Sequence, residues 1–166
     1  MTRTLAHQLA EFSSSLQYED LSRETVHEVK RRVIDSIGCA LGAWNEEPCV
    51  IARKVASDFS AKAGSTIFGT KHKAPPDWGA FANGCGIRYF DYNDTYLSKE
   101  PAHPSDNISA ALAIAESIGA NGRELITAMR WPTKCNAVFA TQRVSVLAVG
   151  TTLPMARFRR RWRVHG

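Results

Sequence analysis

The sequence predicts an all-α fold, a bundle of five or six helices that covers about Thr4 to Arg130. Two observations support this fold. Apolar residues recur at helical spacing in successive stretches of this range, and short turns separate the stretches. A chain of 166 residues with 44% apolar side chains is also long enough to bury one core.

The first three helices are predicted from their apolar stripes and boundary residues. An amphipathic helix covers residues 4–16. Ser22 is suited to accept the free backbone N–H groups at the start of a second helix, which ends at residues 42–43. Pro48 fits the first turn of a third helix, which stops at Gly64.

The next stretch of sequence predicts one extended piece and three further helices. Residues 65–69 favour the extended piece, and residues 75–90 form a fourth helix that begins at a proline pair. Ser105 is the predicted N-cap of a fifth helix that ends at Gly119, and a sixth begins near Gly122.

The helical stripes also predict the core. Gly84 and Gly86 weaken the fourth helix unless another helix backbone packs closely against them. We predict that eight apolar side chains are buried, namely Val33, Ile37, Leu41, Val55, Phe59, Phe81, Leu112 and Ile118.

Charged residues are distributed unevenly along the chain. Residues 1–129 hold 13 Lys and Arg and all 16 Asp and Glu, whereas residues 130–166 hold 8 Lys and Arg and no acid. The net charge of +5 therefore comes from the C-terminal stretch alone. We predict a boundary near Arg130 that separates a helical segment, residues 1–129, from a basic and poorly ordered tail, residues 130–166.

Cysteine spacing and hydropathy argue against several classes of protein. No C-x-x-C pair occurs, so we predict no zinc site, no iron–sulfur cluster and no disulfide framework. Residues 1–16 lack the apolar core of a secretory signal, and no window approaches the ~18 apolar residues of a membrane span. We expect a protein of the cytoplasm or an organelle matrix, without a membrane partner.

Polar residues are concentrated between the predicted fourth and fifth helices. They are Asp91, Asp94, Thr95, Lys99, Glu100, His103 and Ser105. In a functional interpretation, His103 exchanges a proton near pH 7, and Asp91 is its partner or a second acid–base group. Thr95 and the helix start at Ser105 would hold a carboxylate. In the alternative interpretation, the segment is a solvated connection whose acids and serine cap helices. A metal site ranks last, because the spacing of these residues matches no metal motif.

Three blocks of the sequence are informative together, namely VKRRVIDSIGCALGA (29–43), FANGCGIRYFDYNDT (81–95) and HPSDNISAALAIAES (103–117). These blocks resemble the MmgE/PrpD family, which includes 2-methylcitrate dehydratase and cis-aconitate decarboxylase. They occur in the family's order and at its spacing. The resemblance covers roughly residues 5–129.

The resemblance implies roles for particular residues of the polar segment. Asp91 and His103 match catalytic positions, and Thr95 matches a substrate-binding position. Asp94 also matches the family pattern, and a role in bracing the loop is equally open for it. The resemblance further implies a small polycarboxylate substrate, a homodimer in the intact family, and no cofactor or metal.

The chemistry of such a family makes definite demands on these residues. A proton is taken from a carbon beside a carboxylate, and hydroxide or carbon dioxide is expelled, which requires a base, an acid and cationic partners. His103 suits either proton role. An ionised, unpaired Asp91 would repel a tricarboxylate, so we expect it to be protonated or paired with His103 or a lysine. The resemblance places further lysine, histidine and tyrosine groups in a second domain, so we predict that this chain is inactive alone.

We interpret the tail as the product of a frameshift and the chain as a truncated family member. Codons available to residues 129–141, when they are read from the third base of Met129, permit the family-like sequence Ala-Leu-Ala-Tyr-Glu. If resequencing restored a family-like reading frame after Met129, it would confirm the frameshift interpretation. The alternative is a small helical module that binds polyanions or nucleic acid through an arginine-rich tail, and the frameshift interpretation disfavours a nucleic-acid partner. The arginines in question are Arg157, Arg159, Arg160, Arg161 and Arg163.

Overall fold

The computed structural model describes residues 4–97 and 101–130, and the predicted tail beyond Arg130 lies outside these ranges. The described chain is mostly helical, which confirms the predicted fold class. Its α-helices are α1 (Leu5–Ser15), α2 (Arg23–Gly42), α3 (Glu47–Ser57), α4 (Pro76–Arg88), α5 (Ile108–Ser117) and α6 (122–130). Two strands, β1 (Ser65–Thr66) and β2 (Lys73–Ala74), and two 3₁₀ turns, Tyr18–Asp20 and Pro104–Asn107, complete the described elements.

Three helices, α2, α3 and α6, begin where the sequence predicted. The Ser22 side chain accepts a hydrogen bond from the backbone N–H of Thr25 at 3.2 Å, which confirms it as the N-cap of α2. Pro48 lies in the first turn of α3, where a missing N–H costs no helical hydrogen bond. The predicted sixth helix is also present, and the Asn121 side chain accepts N–H groups at its start.

Two predicted helix ends were wrong. The third helix stops at Ser57, well before Gly64, because the following chain turns to meet β2, where the Ala61 N–H donates to the carbonyl of Lys73 at 3.0 Å. The fourth helix stops at Arg88 and does not reach Phe90.

The predicted cap of the fifth helix was also wrong. Ser105 lies inside the 3₁₀ turn Pro104–Asn107, and α5 begins at Ile108 with Asn107 as its N-cap. The Ser105 hydroxyl and backbone N–H contact Asn93 and Asp94, so neither is directed at the start of α5.

Helix α4 lies at the centre of the bundle, packed against α2, α3 and α5. The two glycines of α4 lie where these neighbours approach. A Cβ atom on Gly86 would be 3.2 Å from Cα of Ala40 on α2, and one on Gly84 would be 3.1 Å from the hydroxyl of Ser109 on α5. The close approach of another helix backbone is therefore present at Gly86, whereas the neighbour of Gly84 is a side chain of α5.

The extended piece predicted at residues 65–69 contributes β1, which pairs antiparallel with β2. Glu116 of α5 ties this hairpin to the bundle. Its carboxylate accepts hydrogen bonds from the backbone N–H of Thr66 at 2.6 Å and the Thr66 hydroxyl at 2.5 Å, and Lys73 Nζ lies 2.9 Å away. These hydrogen bonds and the ammonium group outweigh the effect of burial and lower the pKa of Glu116.

The core is built largely from small side chains. Fully buried alanines include Ala43, Ala56, Ala74, Ala111 and Ala113. None of the eight side chains predicted to be buried is fully so: Val33, Ile37, Leu112 and Ile118 are partly buried, and Leu41, Val55, Phe59 and Phe81 are exposed.

The core prediction failed for a physical reason. Helical period shows which residues share a face but not which face points inward. In α3 and α4 the inward positions are held by Ala52, Ala56 and Ala82, which allow close approach of the helices. No helix in the described ranges is long and apolar enough to span a membrane.

Candidate active site

The segment between α4 and α5 returns on itself beside the C-terminal end of α4. Tyr96 and Ala102 form an antiparallel bridge, with N···O distances of 2.7 and 3.0 Å. This bridge brings His103 back towards Arg88, the last residue of α4. Lys99 and Glu100 lie outside the described residues.

His103 is held by contacts to both ring nitrogens. Nδ1 lies 3.0 Å from the backbone carbonyl oxygen of Asp94, and Nε2 lies 3.2 Å from Nη2 of Arg88. A carbonyl can only accept and a guanidinium can only donate. In the neutral ring these contacts require the hydrogen on Nδ1 and the lone pair on Nε2. The lone pair on Nε2 of His103 therefore faces Arg88.

Asp91 completes this arrangement from the other side of Arg88. Its Oδ1 accepts a hydrogen bond from Nη1 of Arg88 and lies 3.8 Å from Nε2 of His103. The sequence analysis expected Asp91 to be protonated or paired. In the structure it pairs with Arg88, and it can also pair with His103 when that ring is protonated. Its side chain remains 66% exposed, so it stays open to a ligand.

The backbone at Asp91 is unusual. Within residues 4–97 and 101–130, Asp91 is the only non-glycine residue in the left-handed region, with φ of 58°. That conformation costs an L-residue roughly 1–2 kcal/mol, although aspartate tolerates it better than most residues. The turn directs the carboxylate back towards the end of α4. Strained residues are concentrated at functional sites, which supports a functional interpretation here.

Asp94 braces the loop. Its Oδ1 accepts the backbone N–H of Ser105 at 2.8 Å, and its Oδ2 accepts a hydrogen bond from Nη1 of Arg32 on α2. Of the two roles left open for Asp94, these contacts favour bracing. They also correct the expectation that the Ser105 helix start would hold a carboxylate of the substrate, because Asp94 already occupies its N–H group.

Beneath His103, a second polar group joins the two sides of the loop. The Asn93 side chain donates to the Ser105 hydroxyl at 2.9 Å and to Oδ1 of Asp106 at 3.1 Å. Burial raises the pKa of Asp106, although the positive charge of nearby Arg88 lowers it in part. Thr95 is exposed at the rim, with Oγ1 3.5 Å from Nδ1 of His103.

Arg88 is the site residue that the sequence reasoning missed. Its guanidinium contacts Asp91 and His103, and its Nε lies 3.7 Å from Oδ1 of Asp106. The available signal was its position three residues before Asp91, at the end of a helix, where i,i+3 side chains meet. Taken alone, an arginine in the last turn of a helix is ordinary, because it complements the helix dipole.

An open groove of about 350 Å³ adjoins the site along α4, with Arg88 and Asp106 at its polar end. Cys85 lines this groove. Burial raises the pKa of the Cys85 thiol, and neighbouring Cys49 raises it further, so the thiol is a poor nucleophile. Within the described residues, no group of three or more His, Cys, Asp and Glu side chains is placed to hold a metal ion.

The charges around His103 do not favour a polyanion. Two guanidinium groups, Arg32 and Arg88, face three carboxylates, Asp91, Asp94 and Asp106. With a neutral His103 and all three carboxylates ionised, the group carries a net charge of −1. Arg88 can offer a carboxylate a partner, but a tricarboxylate needs further cations.

A model of the MmgE/PrpD N-terminal domain matches residues 7–133. The chain belongs to the MmgE/PrpD family. The resemblance inferred from the three sequence blocks is thereby confirmed.

Several members of this family have partial similarity to the chain. The 2-methylcitrate dehydratase of Cupriavidus necator is 34% identical over 125 residues, which cover 75% of this chain and 25% of that protein. A probable 2-methylcitrate dehydratase of Saccharomyces cerevisiae is 34% identical over 102 residues, 56% of this chain and 20% of the relative. An alkylcitrate dehydratase of Talaromyces stipitatus is 33% identical over 103 residues, 60% of this chain and 22% of the relative. The chain thus spans between 20% and 25% of the length of these relatives.

Within the MmgE/PrpD N-terminal domain, the structure brings together the three residues predicted from the sequence, Asp91, Thr95 and His103. Their roles in binding or catalysis remain predictions. The predicted boundary near Arg130 also remains a prediction, because the residues that follow lie outside the described ranges.

Proposed function

We propose that this chain supplies the N-terminal part of the active site of a polycarboxylate lyase, and that 2-methylcitrate dehydration is its reaction. The observation that carries the proposal is the convergence of Arg88, Asp91, Thr95 and His103 at the end of α4. The names of the relatives favour dehydration over decarboxylation.

Dehydration removes a proton from a carbon beside a carboxylate and breaks a C–O bond on the neighbouring carbon. The C–H electron pair becomes the double bond, and the hydroxyl leaves with a proton as water. The enzyme must therefore place a base and an acid in contact with the substrate. It must also place hydrogen-bond donors or cations where negative charge develops on the carboxylate.

His103 is the residue we assign to proton transfer. Its Nδ1 hydrogen is directed at the Asp94 carbonyl, which fixes the ring, and its Nε2 lone pair faces the guanidinium of Arg88. When Nε2 gains a proton, the Asp91 carboxylate at 3.8 Å stabilises the imidazolium. Asp91 thus acts with His103 as its acid–base partner.

Arg88 and Thr95 are assigned to the substrate. A guanidinium binds a carboxylate with two parallel hydrogen bonds, and Arg88 presents its Nη atoms towards His103 and Asp91. An entering substrate carboxylate would replace Asp91 on Arg88. Asp91 would then be free to pair with a protonated His103. The exposed Thr95 hydroxyl adds a donor at the rim.

The same geometry explains why we expect no turnover by the 166-residue chain alone. In the described site two guanidinium groups face three carboxylates, and each missing donor to a developing oxyanion typically costs about 10²–10³ in rate. Further cations must come from the part of the enzyme that the relatives contain and the match does not cover. Assembly as a homodimer is likewise part of the proposal, and sedimentation would measure it.

The proposal is tested with the chain alone and with a chimera. In the chimera, residues 7–130 replace the matching part of the Cupriavidus necator 2-methylcitrate dehydratase. Dehydration of 2-methylcitrate and decarboxylation of cis-aconitate are assayed for both proteins. We expect dehydration by the chimera only, and its loss in His103→Ala. The matched control is His27→Ala, which changes an exposed histidine on α2.

Two outcomes would contradict the proposal. A chimera that turns over equally well with His103→Ala would remove the catalytic role of His103. Turnover by the 166-residue chain that disappears in His103→Ala would show that the chain is an enzyme by itself. Polyanion binding through the arginines of the tail concerns residues outside the described ranges, and no observation within those ranges favours it.

A further inference from the structure

Asp94 contacts the end of the loop at two points. Its backbone carbonyl oxygen lies 3.0 Å from Nδ1 of His103, and its Oδ1 accepts the backbone N–H of Ser105 at 2.8 Å. One residue therefore holds both the imidazole of His103 and the backbone two positions further on. The Asp94 side chain is only 14% exposed, so water competes little for these contacts. The position of Asp94 thus determines where the imidazole lies.

Arg32 fixes the position of Asp94 from helix α2, although the two residues are 62 positions apart in the sequence. Nη1 of Arg32 donates to Oδ2 of Asp94, while Oδ1 is engaged by Ser105. Arg32 is itself oriented, because its Nε donates to Oε1 of Glu28 one helical turn earlier at 2.8 Å. The guanidinium therefore joins the loop to a rigid helix through a charge-assisted hydrogen bond.

The carboxylate of Asp94 depends on Arg32 for its place in the loop. A shielded carboxylate that loses its cationic partner is strongly unfavourable, because the charge is then uncompensated. Removal of the guanidinium would therefore drive the Asp94 side chain towards water. The backbone carbonyl of the same residue would move with it and would no longer accept from His103.

The tautomer of His103 depends on that carbonyl. In a neutral imidazole, the hydrogen bond made by one nitrogen decides which nitrogen keeps its lone pair. An acceptor at Nδ1 leaves the lone pair on Nε2, the nitrogen that faces Arg88. We infer that Arg32 is a positioning residue for proton transfer, because through Asp94 it holds His103 in the tautomer whose Nε2 can take a proton. This inference rests on the proposed function, which assigns proton transfer to His103.

The expected effect corresponds to the loss of one neutral hydrogen bond, which shifts an equilibrium about fivefold. The ratio of the Nδ1–H tautomer to the Nε2–H tautomer of His103 should fall by this factor when Arg32 is replaced by glutamine. In the chimera described above, the same change should lower kcat for dehydration of 2-methylcitrate by a factor of up to about five. KM should stay the same, because the guanidinium of Arg32 binds Asp94 and Glu28 and leaves substrate binding to Arg88 and Thr95.

The tautomer is measured in the full 166-residue chain with isotope-labelled histidine. NMR of the ring nitrogens at about pH 9, where free histidine is neutral, gives the tautomer ratio. The His103 signals are those that disappear in His103→Ala. We expect mainly Nδ1–H in the parent chain and an about fivefold lower ratio in Arg32→Gln. The matched control is Arg31→Gln, because Arg31 is the next residue on α2 and pairs with Glu28, and it should keep the parent's ratio.

A second variant tests the same contact without leaving an unpaired charge. In Asp94→Asn, the side-chain oxygen can still accept from Ser105, but the amide nitrogen cannot accept from Arg32. We expect the same fall in the tautomer ratio of His103. If circular dichroism shows that Arg32→Gln does not fold, the result for Asp94→Asn decides the inference.

Several results would overturn the inference. One is mainly Nε2–H in the parent chain, and another is a parental ratio in Arg32→Gln or in a folded Asp94→Asn. An equal fall in Arg31→Gln would show that the charge of α2 acts in general and that the contact with Asp94 does not. A change in KM with an unchanged kcat would show that Arg32 acts on substrate binding instead.

Failure of this inference is distinguishable from failure of the proposed function, because the tautomer is measured without substrate. If dehydration by the chimera requires His103 while the tautomer ratio is indifferent to Arg32, only the inference fails. If the ratio falls as expected while the chimera turns over without His103, control of the tautomer by Arg32 stands and the proposed function fails.

Discussion

The inner contacts of α4 and the outer surfaces of the helices differ in the size of their apolar side chains. Where α4 meets α2, Gly86 lies against Ala40, and the cluster beside α3 contains Ala56 and Ala82. Several large apolar side chains are exposed instead, such as Phe59 and Phe81, whose rings contact partly buried Trp78 with centroid distances of 4.6 and 6.0 Å, although Ile87 of α4 is buried. Close helix packing therefore stabilises the bundle, whereas the outer surfaces of the described helices expose large apolar side chains.

The largest expected effect tests whether the two regions contribute differently to stability. Ile87 on α4 is 1% exposed, and Ile51 on α3 is 52% exposed. We expect Ile87→Ala to lower the free energy of unfolding by about 2–5 kcal/mol, because it leaves a cavity in the inner packing. Ile51→Ala should change it by less than about 0.5 kcal/mol. Urea unfolding of the full chain measures both. Equal losses would show that the outer face is buried in solution.

The second prediction concerns the close approach of α2 and α4. Gly86→Leu places a side chain against the backbone of Ala40, and we expect a loss of about 1–3 kcal/mol in the free energy of unfolding. Gly38→Leu is the matched control on α2, since no atom lies within 4 Å of the Cβ position. Removal of a helical glycine there should raise stability by about 0.5–1 kcal/mol.

If Gly86→Leu lowers the free energy of unfolding and Gly38→Leu raises it, inner and outer helix positions differ in whether they accept a large side chain. A stabilising Gly86→Leu would contradict the packing of α4 on α2. Circular dichroism of each variant at 25 °C, compared with that of the parent chain, would show whether a loss of stability reflects a changed fold.

The same contrast explains how much of the fold was predictable. Local signals, such as the Ser22 cap and Pro48 in the first turn of α3, predicted helix starts correctly because their effect is confined to one turn. Helix ends and the core depended on distant contacts. The sequence before Gly64 has a helical pattern, but in the structure Ala61 of this stretch bonds to β2. The large apolar residues of α3 were predicted to be buried, but alanines hold the inner positions.

The candidate site was predictable in part for similar reasons. Asp91, Thr95 and His103 lie in a segment whose composition is unusual and whose resemblance to the family is local, so the sequence identified them. Arg88 was missed because its contacts depend on the left-handed turn at Asp91, which no sequence pattern indicated. Ser105 was misjudged because Pro104 begins a 3₁₀ turn before the helix.

The smallest expected effect concerns pH and the contact between α2 and the loop. Inner contacts of α4 involve mainly uncharged residues, whose packing is insensitive to pH, whereas Arg32 of α2 reaches Asp94 through an ion pair. Glu28 orients Arg32, with Oε1 2.8 Å from its Nε, and also binds Arg31. Hydrogen bonds from Arg31 and Arg32 lower the pKa of Glu28 from 4.5 to about 2.

Because the pKa is lower in the folded chain, Glu28 contributes stability above pH 4.5, and this contribution is lost as the pH falls to about 2. Since Glu28 is 41% exposed, solvent screening reduces the effect to at most about 1 kcal/mol. Urea unfolding at pH 6 and pH 2 should show a smaller loss of stability for Glu28→Gln than for the parent chain. Glu47→Gln, at an exposed carboxylate of α3, is the control and should retain the parent's loss. Identical losses for Glu28→Gln and the parent would mean that Arg31 and Arg32 do not hold the Glu28 carboxylate in solution.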